Sequence, residues 1–258
     1  MTSLKEYDAI VVGAGHAGIE ASLSIARSGF QVLLITMAKD AIGRMSCNPA
    51  IGGIAKGHIV REIDALGGEM AVAIDATGIQ FRMLNRSKGP AVWAPRAQAD
   101  KHEYQEYMKA ALSQQPNLEL LERQVIEILV KSGACYGVVT HCGEKLSARS
   151  VILTTGTFLQ GLIHIGEEKT PGGRRDEKPA VGLSESLQSN GIQLIRFKTG
   201  TPPRLLSQSI RWESLEEQKG DDPPEPFSFR NESLECEQIS CHLTYTNEET
   251  HQIVRNNL

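Results

Sequence analysis

Tyr7-Asp8-Ala9-Ile10-Val11-Val12-Gly13-Ala14-Gly15-His16-Ala17-Gly18 decides how this chain folds. Asp8–Val12 is short, apolar and β-branched, the mark of a buried strand. Gly13 to Gly18 then spells G-x-G-x-x-G. Gly13 permits the strand-to-helix turn, Gly15 lets a pyrophosphate approach the backbone, and Gly18 lets the helix pack close against the strand. The next helix aims its N-terminal N–H groups and positive dipole end at the phosphates. A lone glycine pattern is weak; its context makes it specific. Ile19–Arg27 is rich in Ala, Ile and Leu and predicts a helix, Gly29 stands where a C-terminal cap belongs, and Gln31–Thr36 predicts a second parallel strand. Gly13, Ala14, Gly15, His16, Ala17 and Gly18 are therefore the candidate dinucleotide-binding residues of a βαβ unit.

The end of the second strand departs from the usual pattern. An acid is expected there for a ribose hydroxyl, but the chain reads Thr36-Met37-Ala38-Lys39, with Asp40 beyond the expected place. That argues against a simple NAD dehydrogenase and leaves the adenosine end to backbone or water.

The 258 residues suit one large or two modest domains, and 40% apolar content suffices for a sizeable core. A net charge of −4 does not advertise nucleic-acid binding, so any RNA contact needs a local basic patch. Cys47, Cys135, Cys142, Cys236 and Cys241 are odd in number and lack a disulfide-framework spacing, which predicts reduced thiols in a cytoplasmic protein. No apolar run is long enough to span a bilayer, and the first strand begins too near Met1 to leave room for a long transit segment.

Residues 43–58, Gly-Arg-Met-Ser-Cys-Asn-Pro-Ala-Ile-Gly-Gly-Ile-Ala-Lys-Gly-His, are too glycine-rich for a helix interior and too irregular for a strand. They predict a backbone-lined loop, suited to a flavin or a phosphate, leading into a helix Ile59–Leu66 that Gly67-Gly68 ends. Cys47 lies in this loop as either a reactive thiol or a small packed residue. Arg44, Lys56 and His58 are close enough in sequence to stabilise a thiolate or an anionic flavin. Phe81–Lys101 carries Arg82, Arg86, Lys88, Arg96 and Lys101 around Trp93. Such a segment suits RNA phosphates and an unstacked base, or else is a solvated face with a half-buried Trp.

Asp100–Ser113 predicts an amphipathic helix. Leu118–Leu121, Val125–Lys131, Cys135–His141 and Glu144–Ala148 predict short strands, followed by a separate strand over residues 151–157 ending in Thr-Thr-Gly. This order resembles the FAD-binding domain of the glutathione-reductase class: an α/β, Rossmann-like parallel sheet with an antiparallel β-meander. His141 and Cys142 read as structural. Ala180–Leu187 predicts a helix, Thr199–Arg204 a polar loop, and Glu213–Pro226 an acidic, proline-rich exposed connection. Cys236 and Cys241-His242 lack a fourth ligand for a metal site.

Ser46–His58, Arg61–Gly68, Gly78–Asn85, Ser87–Val92, Arg96–Asp100, Lys198–Arg204 and Thr244–His251 are similar to blocks of the MnmG (GidA) family of tRNA uridine 5-carboxymethylaminomethyl modification enzymes. The resemblance implies FAD, reduced by NADH. It also implies a one-carbon unit from methylene-tetrahydrofolate and an aminomethyl-type group on carbon 5 of the wobble uridine of certain tRNAs. Implied partners are the GTPase MnmE, in a heterotetramer of two MnmG and two MnmE, and a second MnmG in a homodimer. The family's FAD contacts fall on Gly13–Gly18, Val125 and Ser184, and its catalytic cysteine falls on Cys47, acting on uracil carbon 6 or in proton transfer. Family members are far longer. Residues 1–205 then correspond to the FAD-binding domain without its C-terminal return segment, and 206–258 to the start of a second, NADH-binding-like domain. Competing readings are a folate- and FAD-dependent tRNA uridine methyltransferase, against which residues 47–53 argue, and a non-catalytic FAD-binding fragment.

Overall fold

The computed structural model describes residues 6–257. Its centre is a six-stranded sheet. β1 (Glu6–Val12) leads through α1 (His16–Arg27) to β2 (Val32–Thr36), and β2 lies parallel beside β1. A second layer follows: β3 (Ala50–Gly52), α2 (Lys56–Ala65), α3 (Met70–Thr77), β4 (Gly78–Leu84), β5 (Ala94–Ala99) and α4 (Lys101–Gln114). β3, β5 and β4 form their own antiparallel sheet. The chain then returns through β6 (Leu118–Glu122), β7 (Val125–Lys131), β8 (Ala134–Thr140) and β9 (Lys145–Leu153), giving the main sheet the order β6-β2-β1-β9-β8-β7. Beyond it come the hairpin β10 (Leu162–Ile165) and β11 (Glu168–Pro171), α5 (Leu183–Ser189), the paired strands β12 (Glu216–Gln218) and β13 (Cys241–Leu243), and α6 (Glu248–Arg255).

The period-2 alternation of β1 and β2 divides the core. Val11, Val32 and Leu34 face α1, α4 and the smaller sheet, together with Ile19, Leu23, Phe81 and Met108. Ile10, Val12, Leu33 and Ile35 face the other way, toward Val125, Val138 and Leu183. Both early helices end as their glycines predict. Gly29 (φ +88°) donates its N–H to Ala26 and Phe30 donates to Ile25; Gly67 (φ +89°) donates to Asp64 and Gly68 to Ile63. Each pair consumes two of the carbonyls a helix end leaves open.

Four expectations are corrected. The stretch taken as too irregular for a strand contains β3, because Ala50, Ile51 and Gly52 pair with Gln98, Ala97 and Arg96 across a partner invisible to local pattern. Leu118–Glu122 is no part of the meander; it lies parallel beside β2 at the sheet edge. The strands expected at 144–148 and 151–157 are one, β9. Its first residues pair antiparallel with β8, and the whole run from Ser147 to Leu153 pairs parallel with β1. The acidic connection is only partly exposed. Asp221 accepts from Met83 N–H at 2.6 Å and donates its own N–H to Phe81, covering the free edge of β4. Just past it Phe227 is 1% exposed, its N–H and that of Ser228 held by the buried Asp75 at 2.7 and 2.9 Å.

At the β1–α1 crossing a Cβ on Gly18 would stand 1.8 Å from the Gly13 carbonyl oxygen and 2.7 Å from Thr154 Oγ1. A main-chain carbonyl cannot step aside, so Gly18→Ala lowers stability by about 3 kcal/mol, at the upper end of overpacking costs. Urea unfolding checks this: a midpoint equal to the wild type would show that the crossing is looser than the geometry requires.

Candidate active site

Gly13 (φ +105°) turns the chain out of β1, in a conformation an L side chain rarely adopts, and a Cβ there would meet the Thr154 carbonyl oxygen at 2.4 Å. The single Oγ1 proton of Thr154 is shared between the carbonyls of Val12 and Gly13, both at 2.9 Å, pinning the turn from the end of β9. Gly15 is the opposite case. A Cβ built on it meets nothing within 4 Å. Gly15 is also the N-cap of α1, no side chain caps that helix, and its first turn has no acid. Free N–H groups, an aligned dipole and open space above a glycine fit a diphosphate. No side chain occupies the approach at Gly15.

His16 is half-buried and stacks on Tyr104, centroids 5.5 Å apart. Burial first, and the Lys56 charge second, push its imidazole down to about 4. The ring is therefore neutral at pH 7, and the backbone rather than His16 carries the positive character of the turn.

The cysteine loop is tied to this turn. Gly43 N–H donates to the Ala14 carbonyl at 3.0 Å, four residues before Cys47. Cys47 is half-buried; its Sγ lies 3.9 Å from the Gly200 carbonyl oxygen, and the Arg204 guanidinium donates to the Cys47 carbonyl. The cations expected beside the thiol are engaged elsewhere. Arg44 pairs with Glu177 at 2.7 Å, and Lys56 Nζ donates to the Ala50 carbonyl at 3.1 Å. The polar loop around Gly200 supplies the contacts that Arg44 and Lys56 do not.

A cleft of about 520 Å³ opens past the end of β2, lined by Met37, Ala38, Glu122, Arg123, His141 and Phe158 among others. An acid, Glu122, does stand beside the end of β2. Parallel pairing sets it opposite Thr36, and its Oε2 accepts from Lys39 N–H at 2.8 Å. Asp40 instead meets Arg44 at 3.4 Å. Reading Leu118–Glu122 as a parallel strand would have exposed this placement. His141, read as structural, is on the cleft wall. Val125 and Ser184 are buried, at 3% and 2% exposure, on β7 and α5, which pack together. Neither side chain lines the cleft; Val125's neighbours Arg123 and Gln124 do. Within 81–101, Arg86 is committed to Asp221 at 3.1 Å and to the Trp93 ring at 5.8 Å. Among the described residues no group of three or more His, Cys, Asp or Glu is arranged to hold a metal, and no helix is long and apolar enough to cross a membrane.

The family model described as Glucose inhibited division protein A (GIDA) matches residues 8–258. The chain belongs to the GidA family. It is 55% identical over 254 residues, 98% of this chain, to the tRNA uridine 5-carboxymethylaminomethyl modification enzyme MnmG of Geobacter sulfurreducens. It is 54% identical over 258 residues to the protein of that name from Pelobacter propionicus. These matches span 40% and 41% of the relatives' lengths. The structure of Aquifex aeolicus GidA in its form II crystal superposes with a TM-score of 0.93 at 52% identity, over 98% of this chain and 43% of that one. A GidA-related protein from Thermus thermophilus, 21% identical with a TM-score of 0.55, shares the fold alone. The chain thus has the FAD-binding, Rossmann-like fold of GidA with its meander.

The depressed His16 value has a testable sign. The unfolded imidazole takes up a proton near pH 6.5, and the folded one resists until about 4. The stabilisation is full above pH 6.5 and lost as pH falls toward 4. Urea midpoints at pH 7.5 and 5.5 are expected to fall more for the wild type than for His16→Gln; parallel falls would remove His16 from the linkage.

Proposed function

We propose that this chain is the cofactor-binding and thiol-bearing part of an FAD-dependent enzyme that modifies carbon 5 of the wobble uridine in tRNA. The observation that carries this is the Gly43 N–H bond to the Ala14 carbonyl, which fastens the Cys47 loop to the dinucleotide turn. The curated relatives' names supply the substrate. The turn at Gly13–Gly18 takes the diphosphate, and the cleft between β2, β6 and His141 takes the adenosine end. Glu122 accepts from a ribose hydroxyl with the oxygen that Lys39 N–H leaves free. Val125 and Ser184 act through the backbone and packing beneath that cleft.

FAD supplies the redox chemistry, with NADH as its reductant and methylene-tetrahydrofolate as the source of the one-carbon unit. Cys47 adds to uracil carbon 6 or moves a proton at the pyrimidine, with Gly200 and Arg204 holding its peptide in place. MnmE, a second copy of the chain in a homodimer, and a cytoplasmic setting complete the proposal.

Two results test it. Glu122→Gln keeps the shape of the side chain and removes its charge. It is expected to weaken FAD binding, read by flavin fluorescence quenching, by about tenfold, the scale of one charge-assisted hydrogen bond. Unchanged affinity would place the adenosine end elsewhere. In a complete family enzyme carrying this segment, Cys47→Ser is expected to abolish wobble-uridine modification, measured by nucleoside mass analysis, and to leave flavin absorbance intact. Full modification in that variant would take Cys47 out of the chemistry.

A further inference from the structure

We propose that Arg82 and Arg96 form a binding site for a phosphate group on the polar face of the β3–β5–β4 sheet. Phe81 and Ala97 turn into the core, so the alternation puts Gln80, Arg82, Arg96 and Gln98 on the opposite face. The antiparallel register sets Arg82 directly against Arg96, and Gln80 against Gln98. Like charges at facing positions repel. Among the described residues neither arginine has an ion pair or a side-chain hydrogen bond, and Arg82 Nε is fully buried without a partner. A buried, unpaired guanidinium N–H is costly.

The nearby carboxylates make their direct contacts with other groups. Asp221 and Glu225 border the same small cavity, but Asp221 holds Met83 N–H and Arg86, and Glu225 lies against Arg86 and Arg61. Arg61 is itself satisfied by the carbonyls of Pro226 and Phe227. Among the described residues no carboxylate comes within ion-pair distance of Arg82 or Arg96, which leaves a half-buried pair of forks without a direct partner, and the guanidinium fork matches phosphate oxygens. The site adjoins the thiol loop, because Arg96 pairs with Gly52 and Gln98 with Ala50, three residues past Cys47. It deepens the reading of the substrate as RNA and rests on that reading for the source of the phosphate. A backbone phosphodiester and free phosphate present the same chemistry.

The probes are inorganic phosphate and a fluorescein-labelled anticodon stem-loop RNA with uridine at the wobble position. They are applied to the chain and to the double variant Arg82→Gln, Arg96→Gln. Millimolar phosphate is expected to raise the wild-type Tm by a few degrees and to leave the variant unmoved. RNA affinity is expected to fall about tenfold, and the slope of log affinity against log salt by about 1 to 2. In the absence of phosphate the variant melts no lower than the wild type, since a repulsion has been removed. Loss of the phosphate response with unchanged RNA affinity would support the site and assign it to free phosphate. A phosphate response present in the wild type and lost in the variant, with no RNA binding by either, would support the site and sink the tRNA reading. A wild type insensitive to phosphate, a variant that still responds, or the same response from Arg82→Lys, Arg96→Lys as from the native forks would overturn the proposal.

Discussion

Among the described glycines the one with least room for a side chain is Gly18, at the crossing of β1, α1 and β9 with Gly13 and Thr154. Two glycines let backbone meet backbone, and one threonine hydroxyl fastens both carbonyls of the turn. With the crossing this tight, α1 starts directly over the edge of the sheet, and its uncapped N–H groups face open space above Gly15. The space proposed for an anion follows from steric exclusion around the turn; His16, the titratable group within it, is kept neutral by burial and by the nearby Lys56 charge. Thr154 reaches the crossing because β9 changes partners along its length, antiparallel to β8 first and parallel to β1 throughout its later half.

A second constraint organises the smaller sheet. Asp64 and Asp75 are buried acids at the core side of α2 and α3, and both spend their oxygens on the segment from Phe227 to Asn231. Burial pushes the Asp75 carboxyl up, and the donors from Ser228, Asn231 and Phe227 pull it back. Each carboxylate is satisfied by N–H or O–H groups of a distant segment, so the acids select which stretch of chain lies there. Arg61 adds two bonds to the same stretch and stacks 4.7 Å over the Phe229 ring. The acidic, proline-rich run that looked like a solvent-exposed connection is held at its far end by these groups and at its near end by Asp221.

The two constraints together set the thiol in place. Cys47 lies between Gly43, bonded to the dinucleotide turn, and Ala50, paired into the smaller sheet. Gly200 and Arg204, more than 150 residues away in sequence, close over it. The sulfur meets the Gly200 carbonyl, and one guanidinium, that of Arg204, acts on the Cys47 peptide. Its orientation is therefore set by loop packing, with no cation in direct contact among the described residues.

Short-range chemistry was legible in the sequence. The βαβ unit, the glycines that end α1 and α2 and the amphipathic helix that follows Asp100 all follow from interactions between residues a few positions apart, which composition and period record. Pairing between distant strands was not. Nothing local tells Leu118–Glu122 that it will lie parallel to β2, yet that pairing alone sets an acid, Glu122, beside the end of β2. Nothing local joins Ala50–Gly52 to Arg96–Gln98, or sets Arg82 against Arg96, or brings Gly200 to Cys47. Sequence determined which segments could bind a dinucleotide and carry a thiol, because turn and helix geometry are properties of neighbouring residues. Tertiary structure alone decided which acid stands beside β2, which carbonyl meets Cys47 and which arginines face each other, because register and burial belong to the folded chain as a whole.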